Sequence, residues 1–288
     1  MKSAMRLGAA AAALLLSASP AFAWGDYGHR TTARIAWAEM RPATRTRIAA
    51  LLRKAAVLDT PTCPIRDLAD AATWPDCIRG LGDRFAASFP WHYQDIDVCK
   101  PFDGHANCPD GNCITAQIER MGRRLGDRRL PVKERIEALA FLVHFAGDLH
   151  MPLHVGEHDD KGGNAIPADY GAIRSPRLNL HWVWDSYLAE RAISAPPGGP
   201  RALDRAITPA ERREWRRGAV IDWAQEGWEI SRTVTYPLAV GEACGPRPEG
   251  RVQVGEAEVA KTTPIIRRQM QRAGVRIALL LDRALGRG

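Results

Sequence analysis

The stretch VKERIEALAFLVHFAGDLHMPLH, residues 132–154, decides how this chain is read. Residues 132–148 read as one helix, opened at Pro131 or Val132 and closed by the break at Pro152. On it His144 and Asp148 stand four apart, so both project from one face about one turn apart, a geometry that grips a metal ion. His154 follows just past the break. The same spacing returns at His181 and Asp185, inside the aromatic run His181-Trp182-Val183-Trp184-Asp185, where residues 180–191 read as another helix. One such pair alone is more often a hydrogen-bonded surface couple than a ligand pair. Two pairs with a third histidine beside one of them favour a metal, and carboxylate with imidazole suits zinc.

Working outward, residues 27–56 place Ile35, Ala36, Met40, Ile48, Leu51 and Leu52 at three- and four-residue steps interrupted by Pro42, which predicts two helices meeting at a tight turn. A shorter helix is predicted over 65–79 and another over 114–125. Residues 101–112 form a polar loop, and residues 156–178, rich in Gly, Asp, Asn and Pro, form a long loop with room for a small hairpin. Pro196 to Pro200 reads as a turn and 209–231 as a helix. The last helix is predicted to be capped near Thr263-Pro264, with Ile265, Ile266, Met270, Val275, Ile277, Leu280 and Leu281 buried. No alternating strand pattern, internal repeat or low-complexity segment is present. The expected fold is all-α, a single mainly helical domain with long disulfide-stapled loops.

The start of the chain has the layout of a secretory leader. Lys2 and Arg6 precede an apolar run through Leu14, Leu15 and Leu16, and Ala21-Phe22-Ala23 is a small-x-small cleavage site. Residues 1–23 are therefore read as a signal peptide and 24–288 as the functional domain, either secreted or periplasmic. Cleavage frees the amine of Trp24, whose pKa of roughly 7.7–8 lets it join the adjacent carbonyl as a metal chelate near neutral pH, with His29 close enough to complete a corner. Losing Lys2 and Arg6 lowers the net charge from +7 to +5. The positive charge is mostly arginine, which suits phosphate but is equally what a GC-rich genome encodes. No later stretch supplies the ~20 apolar residues of a membrane helix. Six cysteines in an exported chain can pair fully, with fifteen connectivities open. Cys108 and Cys113 close a short Asn/Pro/Gly-rich loop, and Cys63–Cys77 with Cys99–Cys244 is the preferred completion. Zinc thiolate sites usually use close C-x-x-C pairs, and none occurs.

The set Trp24 to His29, Trp74-Pro75-Asp76, Trp91-His92-Tyr93-Gln94-Asp95, the run from His144 to His154, Gly162-Gly163-Asn164 and His181 to Asp185 resembles the secreted single-strand-specific zinc nucleases and 3′-nucleotidases of the S1/P1 type. The match follows the family's order over most of the mature chain. It implies three Zn2+ ions per chain: one on Asp76, His92, His144 and Asp148, a second on His154, His181 and Asp185, and a third on the Trp24 amine and carbonyl, His29 and the other oxygen of Asp148. It further implies that a hydroxide held between paired metals attacks phosphorus in line, with the remaining zinc on the leaving oxygen. Arg79 matches a basic residue facing the scissile phosphate, and Tyr93 and Asp95 match a nucleobase pocket of aromatic face and accepting carboxylate. The fungal enzymes usually carry Phe where this chain has Tyr93. Asn164 is a further substrate-binding candidate.

The implied activity is hydrolysis of single-stranded DNA and RNA to 5′-phosphorylated products, with 3′-nucleotides as a second substrate, by a monomer without a stable protein partner. Zinc-dependent phospholipase C is the rival, since that related family shares the helical fold and much of the metal set. Asp185, where the lipid enzymes typically have Glu, and the Tyr93/Asp95 pair argue against it. A non-enzymatic helical protein with structural zincs requires the matched ligand set to be coincidence. His150 points to another helix face and reads as structural, His105 and His158 as solvated, Asp67 and Asp70 lack the Trp-Pro-Asp context of Asp76, and Trp215, Trp223 and Trp228 read as core.

Overall fold

The computed structural model describes residues 24–286; the expected leader, residues 1–23, lies outside the described residues. Helix α5 (Val132–Asp148) is central, with every residue from Ala138 to Asp148 buried. A surface of Ala, Leu, Phe and Val on all sides suits a helix covered all round. Helices α3 (Leu68–Cys77) and α4 (Ile114–Gly126) pack on it, and α1 (Asp26–Glu39) packs against both α3 and the C-terminal helix Glu256–Leu285. Helix α4 shows why: Ile114, Ile118, Met121 and Leu125 recur at three- and four-residue steps and all four are buried. Helix α2 (Pro42–Leu52) begins at the expected proline. The fold is all-α, and Trp215, Trp223 and Trp228 are core residues as expected.

Several boundaries differ from the sequence reading for identifiable reasons. The last helix starts at Glu256, eight residues before Pro264, which sits inside it. Glu258 accepts from the Gly255 amide to cap that start, and the hydroxyls of Thr262 and Thr263 donate to the Glu258 and Val259 carbonyls in the turn the proline disturbs. The helix expected over 209–231 is split into Pro209–Trp215 and Val220–Ile230 by Gly218 at φ +81°. The small hairpin in the loop over 156–178 is a single antiparallel bridge, Tyr170 with Ile173 across Gly171-Ala172; the strands themselves pair elsewhere, Gly156–Glu157 in parallel with Ile96–Asp97 and Ala168–Tyr170 with Val252–Val254. Strands this short carry no period that a sequence can display. All six cysteines pair as preferred, Cys63–Cys77, Cys99–Cys244 and Cys108–Cys113.

Helix α1 meets the C-terminal helix at Gly274, where an added Cβ would stand 2.4 Å from Ile35 Cγ2 and 2.5 Å from Ile35 Cβ. Alanine in a helix interior usually gains about 1 kcal/mol over glycine, but forcing a methyl into a filled contact costs about 1–3 kcal/mol. Gly274→Ala is therefore expected to lower Tm in thermal unfolding. A raised Tm would show that Ile35 yields without cost.

Candidate metal centre

The expected ligands come from separate segments and meet in the interior. His29 sits on α1, Asp76 in the last turn of α3, His92 at the end of the tight helical stretch Ile78–His92, and His144 with Asp148 on α5. His154 closes the short turn Pro152–His154. His181 and Asp185 lie on the helical run 180–194, which widens to π-type winding over Val183–Leu188. All are buried, with Asp76 the most open at 8%.

Asp148 has no solvent access and divides its oxygens. Oδ1 lies 3.1 Å from His29 Nε2, while Oδ2 lies 3.1 Å from His92 Nδ1 and 3.2 Å from His144 Nε2. Asp76 Oδ1 is 3.8 Å from His144 Nε2. Asp185 Oδ2 is 3.1 Å from His181 Nε2 and 3.8 Å from His154 Nε2. Two sets, His92/His144/Asp148 and His154/His181/Asp185, thus bring ligand atoms within 4.8 Å of one another, and a third links His29, Asp76 and His144. Backbone carbonyls aim three of the rings: Nδ1–H of His144 donates to Ala72 (2.7 Å), of His154 to His92 (2.6 Å) and of His181 to Gly162 (2.6 Å). Each bond fixes the tautomer and leaves Nε2 for the cluster.

The donor set fits a cation better than it fits itself. His29 Nε2, His92 Nε2, His154 Nε2, Asp148 Oδ1 and Asp185 Oδ2 are buried without a hydrogen-bond partner, a costly condition that a bound metal would relieve. Burial opposes charge at His154, yet the nearby carboxylates of Asp185 and Asp148 push it up to about 9. Burial holds His92 down at about 4, aided by His144. Asp148 stays far below the ordinary carboxylate range despite burial, because His144, His29 and His92 surround it. The cluster therefore presents a fixed negative charge at Asp148 and a neutral His92, while His154 gives up its proton when a metal binds, because a ligating imidazole must be deprotonated.

Trp24 is completely buried, and its backbone nitrogen donates to Asp185 Oδ1 at 2.8 Å. Its carbonyl accepts from the His29 amide at 3.3 Å. Arg79 lies 3.5 Å from Asp76 Oδ1 with its guanidinium over Phe89. Tyr93 (41% exposed) and Asp95 line a cavity of about 520 Å³ with Asn107, Asn112 and Glu157. Asn164 does not line it; its amide donates to the Lys161 carbonyl and its side-chain oxygen accepts from Asn179, bracing the loop. The glycines before it do more, since a Cβ on Gly162 would fall 2.2 Å from the Leu153 carbonyl and its own carbonyl holds His181.

His150 is structural as expected, donating to the Ala146 carbonyl and accepting from Arg276. Asp67 caps α3 and Asp70 pairs with Arg30 and Arg66. His158 departs from the expectation: it is partly buried and Nε2 donates to the Gly245 carbonyl. It also stands near Asp97 and Cys99, but that sulfur is committed to the disulfide with Cys244 and offers no thiolate. The carbonyls of Ala72, His92 and Gly162 could not be foreseen, because a backbone oxygen leaves no mark in the residue pattern.

A helical chain whose buried imidazoles and carboxylates gather into ligand clusters beside an aromatic-and-acid pocket has the construction of a metallohydrolase. Residues 24–286 match the S1/P1 Nuclease family. The chain is 31% identical over 291 residues to nuclease S1 of Aspergillus oryzae, covering 94% of this chain and 95% of that protein. It is 27% identical over 299 residues to endonuclease 2 of Arabidopsis thaliana (95% and 94% covered) and 30% identical over 175 residues to nuclease P1 of Penicillium citrinum (59% and 60%). The protein belongs to the S1/P1 nuclease family and is a nuclease, a hydrolase acting on ester bonds.

Burial and the neighbouring Glu157 push Asp95 up to about 6. Because the folded state holds that proton above the pH at which an unfolded aspartate (about 3.9) releases it, unfolding free energy falls as pH rises through about 4 to 6. Asp95→Asn removes the penalty, and asparagine tolerates the left-handed φ of +52° found there. The variant is expected to gain about 1–3 kcal/mol at pH 7 and nothing at pH 3.5. Denaturant titrations at both pH values measure this; equal shifts at the two would refute the electrostatic cause.

Proposed function

We propose that this nuclease is an exported endonuclease that hydrolyses single-stranded DNA and RNA to 5′-phosphorylated products and removes phosphate from 3′-nucleotides, with three zinc ions per chain. The observation that carries the reading is the division of Asp148, whose two oxygens face different imidazoles. Asp76, His92, His144 and Asp148 Oδ2 would hold one zinc; His154, His181 and Asp185 a second; the Trp24 nitrogen and carbonyl, His29 and Asp148 Oδ1 a third. Zinc in such donor sets supplies Lewis acidity and lowers the pKa of water toward neutrality. The catalytic work of the remaining residues is binding and charge balance.

Arg79, held beside Asp76, places a permanent cation against the phosphate. Tyr93 offers a ring face and Asp95 accepts from a base edge, while Asn164 holds the loop wall from behind. Stacking is worth roughly 1–3 kcal/mol per base and tolerates many sequences. A duplex hides those faces, hence the preference for single strands. No helix among the described residues is long and apolar enough to cross a membrane. The leader sends the protein to the periplasm or the medium, where it acts as a monomer.

Processed protein assayed on single-stranded DNA, duplex DNA, RNA, a 3′-nucleotide and phosphatidylcholine, beside metal analysis, tests the reading. Asp148→Asn is expected to drop zinc below three per chain and abolish turnover, because two cations then lose their shared charge. A fully metallated, active Asp148→Asn enzyme would exclude the shared carboxylate, and a preference for phosphatidylcholine would exclude nucleic acid as the substrate.

The terminal amine has its own test. A chain beginning Met-Trp24 carries an amide where a chain beginning at Trp24 carries an amine, and an amide nitrogen is a very poor ligand at neutral pH. Refolded, disulfide-intact forms of the two should differ by about one zinc and by most of the single-strand activity. Identical zinc content and rates would remove Trp24 from the ligand set.

A further inference from the structure

The nucleobase pocket has a neighbour. Trp91 Nε1 donates to Asn112 Oδ1 at 3.0 Å; Asn112 lines the Tyr93/Asp95 cavity, whereas Trp91 lines a separate groove of about 320 Å³. One hydrogen-bonded pair of side chains therefore links the two linings. Trp91 also directly precedes His92, so its ring is tied to the metal centre's own backbone. Phe141 and Phe145 hold the indole edge-on, with centroids at 5.7 and 6.5 Å, and leave it part-exposed.

The rim of this groove is cationic. Arg84, Arg120, Arg124 and Lys133 face it against Glu134 and Glu137. Arg124 is paired with Glu134, and Arg84 donates to the Leu58 and Asp59 carbonyls while lying over Phe85. Arg120 and Lys133 are exposed and make no side-chain hydrogen bond or ion pair among the described residues. A held aromatic ring beside an exposed arginine and a lysine balanced only through space by Glu137 is the chemistry that takes a base and its phosphate from a single strand.

We propose that this groove is a second nucleotide subsite, taking the part of a single strand that runs past the Tyr93 pocket, with Arg120 and Lys133 on its phosphates and Trp91 under a base. The proposal rests on the single-strand reading above. The Trp91–Asn112 hydrogen bond, which joins the two linings, selects this occupant. The larger basic groove beside Trp37, about 910 Å³ and carrying Arg34, Arg53 and Arg201, has no hydrogen bond to a residue of that cavity among the described residues.

The test compares wild type with Arg120→Glu/Lys133→Glu, the milder Arg120→Gln/Lys133→Gln, and Arg34→Glu/Arg53→Glu as the control face. Each is assayed on a 20-nucleotide single strand and on a 3′-mononucleotide over a series of salt concentrations, with zinc content and Tm measured alongside. The first variant is expected to lose on the order of tenfold in kcat/KM on the 20-mer at low salt, mainly through KM, with a salt slope shallower by about one per cation removed. The Gln pair should lose less, while the 3′-mononucleotide, zinc content and Tm stay unchanged. An unchanged 20-mer rate, an equal loss on the mononucleotide, or a loss confined to the Arg34/Arg53 variant would overturn the subsite. A wild-type enzyme without preference for the single strand would instead sink the reading on which it rests.

Discussion

A carboxylate with no path to water governs this molecule. Burying an ionised group costs several kcal/mol unless partners surround it, and Asp148 meets that demand in part: Oδ2 faces His92 and His144 at 3.1 and 3.2 Å, while Oδ1, 3.1 Å from His29 Nε2, is left for a cation. Each partner belongs to a different segment, so satisfying one side chain draws α1, the 78–92 stretch and α5 to one place. Gly147 makes the approach feasible: a Cβ there would stand 3.1 Å from His29 Nδ1. The rings of His29 and His144 consequently stack at 4.0 Å, closer than helices bearing larger side chains at that point could bring them.

The disulfides secure the segments that helix packing leaves loose. Cys63–Cys77 pins the residue next to Asp76, and Cys108–Cys113 closes the loop that carries Asn112, with Asn107 just before it, to the Tyr93/Asp95 cavity. Cys99–Cys244 ties the region after Asp95 to the chain near Arg247, another residue of that pocket's wall. Crosslinks of this kind restrict the unfolded chain, and here each also lies close to the buried His/Asp cluster or to the Tyr93/Asp95 cavity. Packing and crosslinking thus divide the labour between the helical core and the polar loops.

Much of this was legible in the residue pattern because helices repeat and ligand pairs on them keep a fixed spacing. Residues 132–148 form the expected helix to the residue, and His144/Asp148 and His181/Asp185 each close on one another across a turn. The convergence of those two pairs with Asp76 and His92 was carried by family resemblance, since no local rule relates residues so far apart in sequence. What escaped was long-range or masked by a strong local signal. Pro264 looked like a beginning because threonine hydroxyls that soften its cost are ordinary surface residues in a sequence, and the parallel pairing of Ala168–Tyr170 with Val252–Val254 joins strands too short to show a period. His158 read as solvated because nothing local announces the Gly245 carbonyl.

At three of the centre's imidazoles the Nδ1 atom is held by a peptide oxygen, that of Ala72, His92 or Gly162, and not by a side chain. Where a carboxylate does this task, a single codon change removes it and detunes the ring. A peptide oxygen survives every substitution that leaves the main chain in place. Ring alignment at these three positions is accordingly insensitive to side-chain substitution at Ala72. Variation would reach His181 through Gly162, at φ +59° with the Leu153 carbonyl oxygen 2.2 Å from where any Cβ would go, and through Gly163, at φ +79° with the His181 amide nitrogen 3.2 Å from an added Cβ.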